Sequence, residues 1–243
     1  ESDEVDVEVR WDSCLAGRVL RCVADVGNVD VRKSLFGRLD HVFLQSQGVN
    51  RRCAALHLIS QCHCGSEAVP MVVRCLEEDD NYDAANYALR CISSIGKKGD
   101  PELISVILAS LEDENNIDFR LSLLSTLADV AERGNSDVMT VLFAHLRHHD
   151  LRVCQKAILA LRETAPKGGG TALTEIEDCI EHARHLADND GYYSLLCEDA
   201  VGAIFHIANV GTSLEQFADD TCNAQSPVLD TLRRIAYHLL SSQ

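Results

Sequence analysis

The sequence predicts an all-α fold, a right-handed α-solenoid of about six to seven helix pairs stacked one on the next. Two observations support this prediction. A glycine followed by helix-capping residues returns about every 35 residues, and apolar residues between these points recur at helical spacing. The composition agrees, since 46% of the 243 residues are apolar and only 5% are aromatic, which suits a helix-rich chain.

The repeat units begin at glycines. A glycine just past a helix end can adopt the left-handed conformation that satisfies the last carbonyls of that helix. The glycines that fit this position are Gly27, Gly65, Gly99, Gly134, Gly170 and Gly211. The capping residues that follow them are Ser66, Asp100, Asn135 or Ser136, Thr171 and Ser213. We therefore expect residues 1–243 to form a single repeat domain.

Each unit is predicted to hold a first and a second helix. The first helices are expected near 30–45, 66–77, 100–111, 136–146, 171–187 and 213–222. The second helices are expected near 11–26, 49–63, 82–95, 117–132, 150–165, 192–209 and 227–241. Apolar residues at i, i+4, i+5 and i+8, such as Phe119, Leu123, Leu124 and Leu127, mark one face of a second helix. Because one pair cannot hide its apolar faces alone, consecutive pairs must stack.

Three segments resemble the HEAT-like repeats, particularly the short variety also seen in phycobilin-lyase-like proteins. They are DVRKSLFGRL at 30–39, IDFRLSLLSTL at 117–127 and DLRVCQKAILAL at 150–161. The resemblance implies a structural ladder of Asp and Arg side chains between neighbouring units, involving Asp30 with Arg32 and Asp118 with Arg120. Armadillo repeats are the near neighbour, but they need a third short helix for which only the longer units have room.

The eleven cysteines lie mostly among apolar neighbours in predicted helices. This pattern indicates free thiols in the core and a reducing compartment, the cytoplasm or another. No apolar run approaches the roughly 18 residues of a membrane span, so we expect no span. The chain starts with Glu1 rather than Met, and a targeting peptide that has already been removed is therefore one of the expected alternatives.

The formal net charge of −16 argues against a nucleic-acid partner, because phosphate backbones are bound by clustered Lys and Arg. The segment from Thr171 to Asp220 contains eleven Asp and Glu residues, and Arg184 is its single Lys or Arg. One interpretation is a solvated surface that keeps the chain in solution. The other is a dock for a basic protein or peptide.

One segment, CAALHLISQCHCG at 53–65, holds the candidate metal ligands Cys53, His57, Cys62, His63 and Cys64. A packed helix is the better interpretation, because Cys62 and Cys64 would point to different sides of a helix and no second CxxC pair follows. We therefore expect no metal and no cofactor.

Two histidine pairs, His145 with His149 and His182 with His185, also have helical spacing, and Asp178 lies one turn before His182. HEAT-like deoxyhypusine hydroxylases use His-Glu dipeptides for a di-iron site, and this chain has none. We expect these four histidines to be exposed. The spacing of Ser, Cys, His and Asp residues also indicates no catalytic arrangement.

The predicted function is a non-catalytic scaffold that binds a protein or peptide along the inner face formed by the second helices. The candidate binding residues lie on the exposed stripe of these helices, and each has a solvated helix face as its alternative. They are Tyr82, Asn86, Arg90, Ser122, Asp129, Arg152 and Arg162. Two further hypotheses are a lyase-like or metal-dependent enzyme subunit that holds a cofactor in the groove, and a structural subunit of a larger assembly.

Overall fold

The computed structural model of the chain describes residues 49–61, 68–78, 81–112, 114–186 and 191–208, together with Cys22 and parts of 28–34. Within these residues all regular secondary structure is helical, which confirms the predicted all-α class. No helix in this part of the chain is both long and apolar enough to cross a membrane.

The chain divides into two units, residues 1–114 and 115–243. Unit 1 contains α1 (Val49–Gln61), α2 (Val69–Glu78), α3 (Tyr82–Ile95) and α4 (Pro101–Glu112). Unit 2 contains α5 (Ile117–Val130), α6 (Ser136–His145), α7 (Leu151–Thr164), α8 (Gly170–Leu186) and α9 (Gly191–Ala208). The first helices are therefore α2, α4, α6 and α8, and the second helices are α1, α3, α5, α7 and α9.

These bounds lie within about three residues of the predicted ones, the usual precision of boundaries predicted from sequence. The helices predicted near 11–26, 213–222 and 227–241 lie outside the described residues, and the helix near 30–45 lies mostly outside them. The organisation as a single repeat domain stays a prediction.

Three of the second helices, α3, α5 and α7, begin with an Asn or Asp whose side chain caps the first turn. Asn81 accepts hydrogen bonds from the Asp83 and Ala84 amides, Asn116 caps α5, and Asp150 caps α7. The steps between these caps are 35 residues (116 − 81) and 34 residues (150 − 116). A cap of this kind stabilises a helix by about 1 kcal/mol, so each of these three helices has a local residue that fixes where it begins.

Two of the capping residues predicted for first helices are confirmed, and one is wrong. Asp100 accepts from the Glu102 amide, and Asn135 accepts from the Asp137 and Val138 amides. Thr171 is not a cap, because α8 already begins at Gly170 and places Thr171 inside its first turn. Ser66 and Ser213 lie outside the described residues.

Second helices pack on second helices. In unit 1, α3 packs against α1, and in unit 2, α7 packs against both α5 and α9. Buried small residues, such as Ala84 and Ala88 in α3 and Ala157 and Ala160 in α7, let the helices approach closely. The first helices α2, α6 and α8 pack against the second helices next to them in the chain.

Hydrogen bonds follow the repeat distance in unit 1. The Cys91 thiol donates to the Leu56 carbonyl over 2.7 Å, and the Ser94 hydroxyl donates to the Ser60 carbonyl over 2.9 Å. These partners are 35 and 34 residues apart. The Cys91 bond is buried, and because polar groups in a core need partners, it favours one register of α3 against α1.

Six described cysteines are buried, as core-filling thiols should be: Cys53, Cys75, Cys91, Cys154, Cys179 and Cys197. Cys22 is exposed instead.

Three glycines between helix pairs have positive φ: Gly99 (83°), Gly134 (82°) and Gly168 (73°). Each stands four residues past the end of a second helix, at Ile95, Val130 and Thr164 respectively. Gly99 and Gly134 were predicted to open units. Gly170, also predicted to open a unit, starts α8, but the left-handed conformation expected there lies at Gly168.

The predicted role of Gly134 is also corrected, because it does not cap the helix that precedes it. The Ala131 amide binds the Leu127 carbonyl at the end of α5. The Gly134 amide instead donates to the Thr164 carbonyl, 2.8 Å away at the end of α7. One pair further on, the Gly168 amide donates to the Ile207 carbonyl of α9 over 2.7 Å. Each glycine thus binds the end of the next second helix.

A basic residue precedes each of these glycines and reinforces the contact. Arg133 Nη1 donates to the Ala165 carbonyl over 3.0 Å, and Lys167 Nζ donates to the His206 carbonyl. A cation at the C-terminal end of a helix is favoured by the helix dipole. We call Arg133–Gly134 and Lys167–Gly168 the basic–glycine pairs; Lys98–Gly99 has the same sequence and the same sign of φ.

The positive φ of Gly134 can be tested against Gly170. A Cβ added at either position meets nothing within 4 Å, so the two sites differ in backbone conformation and not in space. Gly134→Ala should lower the free energy of unfolding by about 1 kcal/mol, since positive φ is strained for alanine. Gly170→Ala should leave the free energy of unfolding unchanged or raise it, since alanine favours helices. Denaturant titration measures both, and equal effects would contradict this explanation.

Candidate binding surface

Helix α3 presents one polar stripe. Tyr82, Asn86 and Arg90 are spaced by four residues and therefore share a face, while Ala84, Ala88 and the other apolar residues of α3 point into the core. The Tyr82 side chain is 48% exposed, Arg90 is exposed and Asn86 is half-buried. The structure thus brings these three predicted residues together.

Two aromatic residues extend this stripe toward α1. The guanidinium carbon of Arg90 lies 5.5 Å from the centre of the Tyr87 ring, a cation–π distance. His57 of α1 meets the same ring edge-on, with centroids 6.2 Å apart and planes at 85°. We call His57, Tyr82, Asn86, Tyr87 and Arg90 the α3 surface.

At the other end of the α3 surface, the Tyr82 hydroxyl lies 3.4 Å from Glu114 Oε1, beyond the end of α4. The negative charge of Glu114 raises the pKa of the Tyr82 hydroxyl. This contact leaves the ring of Tyr82 open to a partner, since the side chain stays about half exposed.

His57, one of the candidate metal ligands, belongs to this aromatic contact. Cys53 is buried in the core, and Cys62, His63 and Cys64 lie outside the described residues. Within the part of the chain that the structure describes, no three His, Cys, Asp or Glu side chains are grouped closely enough to hold a metal.

In unit 2, Arg152 connects two second helices. Its Nη2 lies 2.8 Å from Asp150 Oδ2, and its Nη1 lies 3.3 Å from Asp118 Oδ1 on α5. The resemblance implied an Asp–Arg ladder; Asp118 does form such a pair, with Arg152 of the next helix pair. Arg120, the other residue named for this ladder, contacts His145 Nε2 over 3.0 Å. The pair of Asp30 with Arg32 lies outside the described residues because Arg32 does.

The other predicted residues of unit 2 lie at separate places. Ser122 is half-buried and donates to the Asp118 carbonyl, so it lies near the Arg152 contact. Asp129 is exposed near the end of α5, and Arg162 is exposed near the end of α7, with its Nε 3.3 Å from Glu163 Oε1. Unit 2 therefore presents two smaller polar regions.

The prediction that four histidines are exposed is wrong for two of them. His149 and His185 are exposed, but His145 and His182 are partly buried. Burial lowers the pKa of His145 most, and the nearby Arg120 lowers it further. The helical spacing of His145 and His149 does not bring them onto one surface, because α6 ends at His145.

The carboxylates proposed as a dock are only partly described. Asp178 and Glu181 are exposed on α8, whereas Glu175 pairs with Arg147 over 2.9 Å. Asp219 and Asp220 lie outside the described residues.

Two tyrosines were missed by the sequence analysis. Tyr87 lies on α3 one turn before Arg90, and Tyr192 is 48% exposed in the first turn of α9. The scarcity of aromatic residues could have pointed to them, because only 5% of this chain is aromatic and tyrosines are enriched at protein interfaces.

None of the seven predicted binding residues is buried. No protein-family model matches the chain, and no curated protein matches it. Function therefore has to be inferred from the residues of the chain itself.

Replacing Arg152 tests its contact with Asp150 at the start of α7. The hydrogen bonds from Arg152 are the main cause that holds the pKa of Asp150 below its ordinary value. A carboxyl with a lowered pKa stabilises the fold above about pH 4, and this stabilisation is lost as pH falls through the folded pKa. Arg152→Gln should therefore raise the pKa of Asp150 toward its ordinary value.

An NMR titration of the Asp150 carboxyl carbon measures this change. The control is Arg162→Gln, which removes an arginine that pairs with Glu163 instead. An Asp150 titration that is unchanged by Arg152→Gln would contradict the assigned contact.

Proposed function

We propose that this chain is a non-catalytic scaffold that binds a protein or peptide along the exposed faces of its second helices. The observation that carries the proposal is the α3 surface. Tyr82, Tyr87 and Arg90 all lie on this helix, and the Arg90 guanidinium stands at a cation–π distance from the Tyr87 ring. Tyr and Arg are the residue types that most often dominate protein–protein binding energy.

We further propose that the helix pairs form a right-handed α-solenoid of the HEAT-like kind. Support comes from the packing of second helix on second helix, the Asn and Asp caps 34 or 35 residues apart, and the basic–glycine pairs. Each of these features recurs once per helix pair, as stacking of equivalent units requires. An exposed stripe that recurs on successive second helices suits an extended partner.

The partner is proposed to be a protein or peptide, and a basic one where it meets α8. Asp178 and Glu181 are exposed there, and the chain as a whole carries a net charge of −16. Opposite charge speeds association more than it tightens the final complex. The α3 surface is therefore expected to supply most of the affinity.

A peptide library displayed on phage and selected on the intact chain supplies the ligand for a direct test. Tyr82→Ala and Arg90→Ala should each weaken binding of the selected peptides by more than about tenfold, as truncation of a central contact residue does. Fluorescence anisotropy measures the Kd of each variant.

The matched control is Arg74→Ala, which removes an exposed arginine from the first helix α2 of the same unit. It should leave the Kd unchanged. Thermal unfolding should be alike for all three variants, because the replaced side chains are exposed. Peptides that bind the Tyr82 and Arg90 variants as tightly as the wild type would refute the α3 surface as the binding site.

A further inference from the structure

His145 is held in one neutral tautomer by its two partners. Its Nδ1 lies 2.8 Å from the Val141 carbonyl, which can only accept, so Nδ1 carries the proton. Its Nε2 lies 3.0 Å from Arg120 Nη1, and a guanidinium can only donate. Nε2 must therefore be unprotonated, and this bond joins α6 to α5. A second proton on His145 would break the bond and place an imidazolium against a guanidinium.

His206 on α9 is held in the same way. Its Nε2 accepts from Arg133 Nη2 over 2.9 Å, so this nitrogen must also be unprotonated. The charged neighbours are the cations of Arg133, Arg162 and Lys167, opposed by the Glu163 carboxylate. Protonation of His206 would break its bond to Arg133, the basic residue that binds the end of α7, and would add a positive charge among three others.

A third histidine of this kind lies between α6 and α7. His148 Nδ1 accepts from the Asp150 backbone amide over 3.0 Å, and an amide N–H can only donate. The ring stacks on His149 with centroids 4.2 Å apart. Its cationic or titratable neighbours are Arg120, His145 and His149, and the Asp150 carboxylate opposes them.

Burial and the neighbouring charges favour the neutral form of these histidines, as the hydrogen bonds do. Burial is the largest cause that lowers the pKa of His145, His148 and His206, and neighbouring cations or histidines lower each pKa further. A histidine with a lowered folded pKa binds fewer protons than in the unfolded chain, where its pKa is about 6.5. The stability that it contributes is complete above about pH 6.5 and is lost as pH falls below this value toward the folded pKa.

We propose that unit 2 contains an acid-sensitive device, in which protonation of His145, His148 and His206 breaks the contacts of α5 with α6, of the α6–α7 loop with the start of α7, and of the α5–α6 loop with α9. In unit 1, the described histidine His57 instead packs edge-on against Tyr87. Mild acid should therefore loosen unit 2 and leave the described helices of unit 1 unchanged. This inference does not depend on the scaffold function.

Amide hydrogen exchange of the intact chain at pH 7.5 and pH 5.5, corrected for the intrinsic pH dependence of exchange, tests the device. Protection of α5 to α7 and of the last turns of α9 should be lower at pH 5.5 than at pH 7.5. Protection of α1 to α3 should not change. An equal loss in both units, or no loss in unit 2, would overturn the proposal.

A variant with acceptors that do not titrate separates protonation from other effects of acid. In the triple variant His145→Gln, His148→Asn and His206→Gln, side-chain amide oxygens replace the accepting ring nitrogens, so the loss of protection at pH 5.5 should disappear. The control, His185→Gln, removes an exposed histidine of α8 and should keep the wild-type response. A triple variant that responds as the wild type does would refute the proposal.

The wild-type chain offers a test that needs no substitution, in case the triple variant does not fold at pH 7.5. NMR of the histidine ring nitrogens should find His145 with its proton on Nδ1 at pH 7.5. All three histidines should titrate with midpoints below 6.5. Midpoints at or above 6.5, or a proton on His145 Nε2 at neutral pH, would contradict the proposal.

Discussion

The hydrogen bond from a loop glycine to the end of the next second helix is the contact on which the order of unit 2 depends. Gly134 binds the Thr164 carbonyl of α7, and Gly168 binds the Ile207 carbonyl of α9. The loop glycine has a positive φ, which glycine adopts without strain. The basic side chain before it donates a second hydrogen bond to the same helix end. The start of one helix pair is thereby tied to the end of the next.

The sequence predicted much of this fold but not the direction of its connecting bonds. Apolar spacing placed α3, α5 and α7 correctly, because this signal is local in the chain. The bond between Gly134 and Thr164 joins residues 30 positions apart (164 − 134), and no local pattern shows which carbonyl a loop amide will meet. The left-handed glycine of the run at 168–170 could not be predicted for a related reason, since three consecutive glycines give no local signal of which one has positive φ.

Helical spacing was informative for the α3 surface and misleading for the histidines. Tyr82, Asn86 and Arg90 share a face because α3 continues through all of them. His145 and His149 have the same spacing, but α6 ends between them, so His145 turns to Arg120 while His149 stacks on His148. Arg120 and Arg133 bind neutral histidines in contacts that depend on tertiary packing. The same guanidiniums therefore hold helices together at neutral pH and make those contacts sensitive to acid.

The exchange rates of the Gly134 and Gly168 amides test the central claim, that these glycines tie successive helix pairs together, most directly. Both amides lie in loops between helices, where an amide without a partner exchanges at nearly the rate of an unfolded chain. Their bonds of 2.8 and 2.7 Å to helix-end carbonyls predict slow exchange, comparable to that of core amides in α7. Residue-resolved exchange measured by NMR at neutral pH separates the two cases. Rapid exchange at both glycines would contradict the account.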